Sequence, residues 1–136
     1  MLIKPKKSLG QNFLHDRNII SKIIDASEIS FNDEVLEIGP GTGNLTRLII
    51  NQNPKKIYVI EKDSLLAEDL KKKFLDKIEV IVKDILKISD EFYKGKKFLV
   101  LGNLPYNISS KILSNFCLNN KLKVSKMILM FQKEVA

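Results

Sequence analysis

The chain has 136 residues, 44% of them hydrophobic, which suits one domain with a continuous core and excludes a disordered segment. Lysine and arginine number 23 against 16 acids, and the resulting net charge of +7 fits a polyanionic partner such as a nucleic acid. Cys117 is the single cysteine, so a disulfide framework and a cysteine-based metal site are excluded. No apolar run approaches the length of a membrane span and no signal-peptide core is present, so the expectation is a cytoplasmic protein with no membrane or metal partner.

In chain order, a basic head (Lys4, Lys6, Lys7) precedes a helical segment with Ile19, Ile20, Ile23 and Ile24 on one face. The run EVLEI (34–38) reads as a strand, followed by a glycine turn and a helix through NLTRLII. KIYVIE (56–61) is a second strand, and SLLAEDLKKKF (64–74) a second helix that places Glu68 four residues before Lys72. Further strands are expected at 78–84 (IEVIVKD), 97–101 (KFLVL) and 127–131 (MILMF). The fourth stops at Gly102, and after it Ser109 opens a helix with apolar residues at 112, 113 and 116. Cys117 falls in that helical pattern, where a small buried hydrophobe is expected. Strands that alternate with helices, several of them continuously apolar, imply an α/β domain with a mostly parallel, doubly wound sheet.

Ligands of such sheets bind at the carboxyl ends of the strands, where strand order reverses. The first strand ends in EIGPGTGN, whose Gly39, Gly41 and Gly43 permit a tight turn and close approach of the backbone to a ligand. Glu61 ends the second strand, 22 residues after Gly39, where an acid accepts hydrogen bonds from ribose hydroxyls. The dinucleotide pattern G-x-G-x-x-G fails, because position 44 is Asn. Asp84 ends the third strand; alone it reads as a helix cap, and in register with Glu61 as an acceptor for an adenine amino group. A glycine turn with two acids suits a cationic, phosphate-free cofactor better than an anionic dinucleotide, and S-adenosylmethionine is such a molecule.

At the end of the fourth strand, GNLPYNIS sets Asn103, Leu104, Pro105 and Tyr106 together. Each alone fits a proline turn with a half-buried tyrosine. Beside a cofactor turn they suggest chemistry on the exocyclic amine of a nucleobase, whose lone pair is delocalised into the ring. The Asn103 side-chain carbonyl and the Leu104 backbone carbonyl, held extended by the following proline, accept the amine hydrogens and free the lone pair. Tyr106 offers a face on which a flipped base stacks.

The stretches SLGQNFLHD, EIGPGTGNLT, VIEKD, the KD at 83–84, GNLPYNIS and FQKEVA resemble the ribosomal RNA adenine dimethyltransferases of the KsgA type, in order and spacing over essentially the whole chain. NLPY occurs more widely among amino-methylating enzymes, whereas GQNFL and QKEV narrow the resemblance to this family. The resemblance implies a Rossmann-like class I methyltransferase fold. It also implies transfer of methyl groups from S-adenosylmethionine to N6 of two adjacent adenosines near the 3′ end of small-subunit (16S) rRNA, in ribosome biogenesis. The implied partner is small-subunit rRNA in a pre-30S particle, and the implied state of the full-length enzyme is a monomer.

By the same resemblance, Asn12, Leu14, Gly39, Glu61, Asp84 and Asn103 would hold the cofactor, while Asn103, Leu104, Pro105 and Tyr106 would act on the target. From the residues alone, Gln11 and Asn12 are loop polars, Leu14 is core, Phe13 and Phe131 are core or lean over an aromatic ring, and His15 beside Asp16 has a structural or surface role. Family members continue past QKEVA with further strands and a small helical domain that grips rRNA. Residues 1–136 are thus expected to form a methyltransferase domain truncated before its last strands, with doubtful activity as a fragment. Two alternatives stay open: a large-subunit rRNA methyltransferase that confers antibiotic resistance, and a non-catalytic RNA-binding relative.

Overall fold

The computed structural model describes residues 17–118 and 123–132. The first helix, α1 (Arg17–Ser27), buries Ile20, Ile23 and Ile24, the face expected from their spacing. Then follow β1 (Glu34–Ile38), α2 (Asn44–Asn51), β2 (Lys56–Glu61), α3 (Ser64–Phe74), β3 (Glu79–Val82), α4 (Asp90–Tyr93), β4 (Lys97–Pro105), α5 (Tyr106–Leu118) and β5 (Lys123–Gln132). Short 3-10 turns, Leu75–Lys77 and Ile85–Lys87, flank β3.

The strands form one sheet in the order β3-β2-β1-β4-β5, and every pairing is parallel. Alternate residues of the strands point to opposite faces, and both faces are covered. Val35, Ile57, Val59, Leu99 and Leu101 pack against Ile20, Ile23 and Ile24 of α1, Leu45 and Ile49 of α2, and Leu70 and Phe74 of α3. Leu36, Ile38, Tyr58, Ile60, Phe98 and Val100 pack on the other face against Ile85, Tyr93 of α4, and Ile112 and Phe116 of α5. The doubly wound α/β architecture expected from the alternation of elements is the one observed.

Several boundaries differ from the sequence expectation, and the fifth strand starts at Lys123 rather than at residue 127. The third strand ends at Val82 rather than residue 84, because the Asp84 side chain accepts a hydrogen bond from Leu86 N–H at 3.0 Å and turns the chain into a 3-10 turn. The fourth strand does not stop at Gly102 but runs to Pro105. Its pairing with β1 ends at Ile38 and Gly102, whereas its register with β5 continues through Asn103, Leu104 and Pro105. The following helix begins at Tyr106, three residues before the serine read as its start. Ser109 lies within that first turn, buried, and its hydroxyl donates to the Leu104 carbonyl at 3.3 Å.

Strand order reverses between β1 and β4, which places the crevice of the sheet at their carboxyl ends. The glycine turn after β1 and the Asn103–Pro105 end of β4 meet there.

Candidate active site

Gly39 leaves β1 with φ +65°, a conformation that disfavours any side chain, and its N–H donates to the Ile60 carbonyl of β2 at 3.0 Å. A Cβ on Gly39 would stand 2.6 Å from Leu104 Cδ2 and 3.9 Å from the Asn103 carbonyl oxygen. The turn therefore lies against the end of β4 with room only for hydrogen at that position. Between them opens a small cleft lined by Glu37, Gly39, Pro40, Thr42, Asn44, Leu45 and Asn103. The fold thus brings together two sequence-predicted site residues, Gly39 and Asn103, from segments more than 60 positions apart. Leu104 is buried beside them.

Glu61, at the end of β2, is buried behind the turn rather than in the wall of that cleft. Its carboxylate accepts from Asp63 N–H at 2.9 Å and from the backbone of Gly41 and Lys62. Burial pushes its pKa up, and those backbone hydrogen bonds act against the shift. An acid at this strand end is thus bonded to the middle of the glycine turn. Asp63 next to it caps α3, accepting from Leu65 and Leu66 N–H at 2.8 and 3.2 Å. Asp84 caps the turn after β3 and stands 3.6 Å from Lys62 Nζ, outside the cleft walls. Pro105 and Tyr106 form the junction of β4 and α5 in the backbone. Asn12 and Leu14, with Gln11, Phe13, His15 and the lysines of the basic head, lie outside the described residues.

Glu37 was missed by sequence reasoning. It points to the α2 side of β1, is almost completely buried, and accepts a hydrogen bond from the Thr46 hydroxyl. Burial pushes its pKa up to about 8; the Thr46 bond opposes this and the Glu61 charge adds to it. A clue was present, since an acid inside a strand covered on both faces needs a partner, and it stands two residues before the first glycine. Ser109, which holds the Leu104 carbonyl, was read only as a helix start. No cationic side chain among the described residues lines the cleft to hold a phosphate, and Glu37 in its wall, its pKa pushed up to about 8, stands as a neutral carboxyl near pH 7. Among the described residues, no cluster of His, Cys, Asp or Glu is arranged to hold a metal ion. No helix among them is long and apolar enough to cross a membrane.

The family model for ribosomal RNA adenine dimethylase matches residues 3–136. The chain belongs to the ribosomal RNA adenine dimethylase family. Among curated relatives, the ribosomal RNA small subunit methyltransferase A of Pelagibacter ubique is 54% identical over all of this chain and 52% of its own length. The protein of the same name from Malacoplasma penetrans is 43% identical over 96% of this chain and 47% of its own. The chain spans about half the length of these dimethylase-family relatives.

Two solved structures share the fold. A dimethyladenosine transferase from Plasmodium falciparum superposes with a TM-score of 0.77 at 34% identity, covering 90% of this chain and 44% of that one. The 23S rRNA methyltransferase ErmE superposes with a TM-score of 0.77 at 30% identity, covering 89% and 48%. Dimethylase-family membership and the Rossmann-like methyltransferase fold expected from the motifs are therefore both met.

Proposed function

We propose that this chain is the cofactor-binding and catalytic part of an rRNA adenine N6,N6-dimethyltransferase that uses S-adenosylmethionine and acts on two adjacent adenosines near the 3′ end of small-subunit rRNA. The observation that carries the reading is the contact of the glycine turn with the end of β4, which sets Gly39 against Leu104 and beside Asn103 in one cleft. A turn with glycine at 39, 41 and 43, beside a cleft that no cationic side chain lines among the described residues, fits a ligand that carries no phosphate. S-adenosylmethionine, when bound, supplies an electrophilic methyl carbon on a positively charged sulfur.

In this reading Gly39 approaches the methionine end of the cofactor, Glu61 accepts from its ribose, Asp84 accepts from its adenine amino group, and Asn12 and Leu14 line the site. Asn103 offers its side-chain carbonyl, and Leu104 its backbone carbonyl, to the hydrogens of the target amine. Two acceptors favour a pyramidal nitrogen whose lone pair points away from the ring. The Ser109 hydroxyl on the Leu104 carbonyl fixes the direction of that second acceptor while leaving it a further lone pair. Tyr106 stacks on the flipped base, with Pro105 setting the backbone between the two roles. No side chain need act as a base, because a methylated ammonium loses its proton to water.

The small-subunit target is supported by relatives named for that subunit at 43–54% identity, and cytoplasmic work on a pre-30S particle follows from it. The similarity to a 23S rRNA methyltransferase keeps a large-subunit target as the second reading. Incubating an enzyme of the relatives' length that carries this sequence with labelled S-adenosylmethionine, and with unmethylated small or large subunits, separates the two. Label on two adjacent adenines of small-subunit rRNA is expected. Label on large-subunit rRNA would move the assignment to the second reading, and RNA binding without label would make the chain a non-catalytic relative.

A further inference from the structure

The glycine turn is closed by its own Gly43 N–H to Pro40 carbonyl bond at 3.0 Å and held at Gly41 by Glu61, and α3 adds a further anchor at Thr42. Gly39, Gly41 and Gly43 all adopt positive φ, and a segment with three glycines in five residues loses much conformational freedom on being fixed. From α3, 31 residues away, the Lys73 ammonium donates to the Thr42 carbonyl at 3.1 Å. Asp69, one helical turn earlier, holds the same ammonium at 3.0 Å. The neighbouring residues close on the turn as well. A Cβ on Gly43 would come within 2.7 Å of Phe74 Cε2 and 2.9 Å of Leu70 Cδ2, and the Arg47 guanidinium lies 5.6 Å from the Phe74 ring centre. Thr42 itself lines the cleft.

We infer that the last turn of α3 is a clamp on the glycine turn, with Lys73 as a positioning residue that holds Thr42 and so presets the wall of the cleft for its ligand. Lys73 would touch neither the cofactor nor the target base; it acts through the backbone it restrains. Its consequence for cofactor affinity rests on the reading of the cleft as the S-adenosylmethionine site. A turn fixed before binding spares the ligand the cost of ordering it.

The test uses Lys73→Met and Lys73→Arg in the 136-residue chain, with two measurements on each. Amide hydrogen exchange at Thr42, Gly43 and Asn44 reads the clamp without any ligand, and calorimetric titration with S-adenosylmethionine reads its consequence. Lys73→Met should speed exchange at the turn and weaken binding, each about 3- to 10-fold, the range for one partly exposed charged hydrogen bond. Exchange in β1 and β2 should stay unchanged, and Lys73→Arg should restore both quantities. Equal exchange and equal affinity in Lys73→Met would overturn the clamp. An exchange response in a chain that binds no S-adenosylmethionine would support the clamp and overturn the cofactor reading.

Discussion

At the scale of single residues, the buried acids are the groups that distinguish this cleft. The Glu37 carboxyl has a pKa near 4.5 in an unfolded chain and about 8 when folded, with burial as the main cause. Between those values the native chain holds a proton that the unfolded chain has released. Native stability should therefore fall as pH rises from about 4.5 to about 8, by up to roughly 5 kcal/mol, and level off above. Glu61 shifts in the same direction and adds to the slope. Denaturant unfolding of Glu37→Gln between pH 5 and 8.5 should show a flatter dependence than the unsubstituted chain; an identical slope would mean that Glu37 is ionised in the native state. Ser109→Ala leaves the Leu104 carbonyl without its hydroxyl partner, which should cost roughly 0.5–1.5 kcal/mol of stability. Thermal unfolding of Ser109→Ala with an unchanged midpoint would show that the hydroxyl carries no net weight. The glycine turn and the polar end of the fourth strand were legible because tight turns and polar strand ends are local features of the sequence. Glu37 was not, because nothing local tells which face of a strand Thr46 will cover.

At the scale of elements, the strand signals were clear where apolar residues ran together and failed where pairing overrode composition. Gly102, Asn103 and Pro105 all discourage a strand, yet β4 persists through them because β5 supplies a partner beyond the end of β1. That extension carries Asn103 and Leu104 forward to the glycine turn, so the misread boundary is also the one that builds the site. The third strand erred in the opposite sense: Asp84 was included as its end, whereas its side chain caps the next turn. Contact between the glycine turn and α3 was also beyond sequence reasoning, since it joins positions about 30 apart. Gly43→Ala tests that packing. It would place a side chain at φ +92° and drive a methyl group into Phe74 and Leu70, so destabilisation of roughly 2–4 kcal/mol is expected in equilibrium unfolding. A loss below about 0.5 kcal/mol, the ordinary range for a surface substitution, would mean that α3 does not grip the turn.

At the scale of the whole molecule, the sheet has β3 at one edge and β5 at the other. Among the described residues β5 pairs only with β4, and it carries Met127, Ile128, Leu129 and Met130 in succession. An apolar edge of this kind pairs with copies of itself, so the 136-residue chain should form concentration-dependent oligomers in light scattering. A monomer at high concentration would show that the edge is covered. The cleft, by contrast, draws its walls from β1, α2 and β4 and needs nothing from that edge. Binding should thus be separable from catalysis, with the chain holding cofactor better than it methylates RNA. Calorimetric titration of the chain with S-adenosylmethionine, beside NAD and beside Glu61→Ala, tests the central claim most directly. The expected result is one site per chain for S-adenosylmethionine, no heat with NAD, and a loss of roughly 1–3 kcal/mol in Glu61→Ala. No binding of S-adenosylmethionine, or preference for NAD, would contradict the assignment of this cleft.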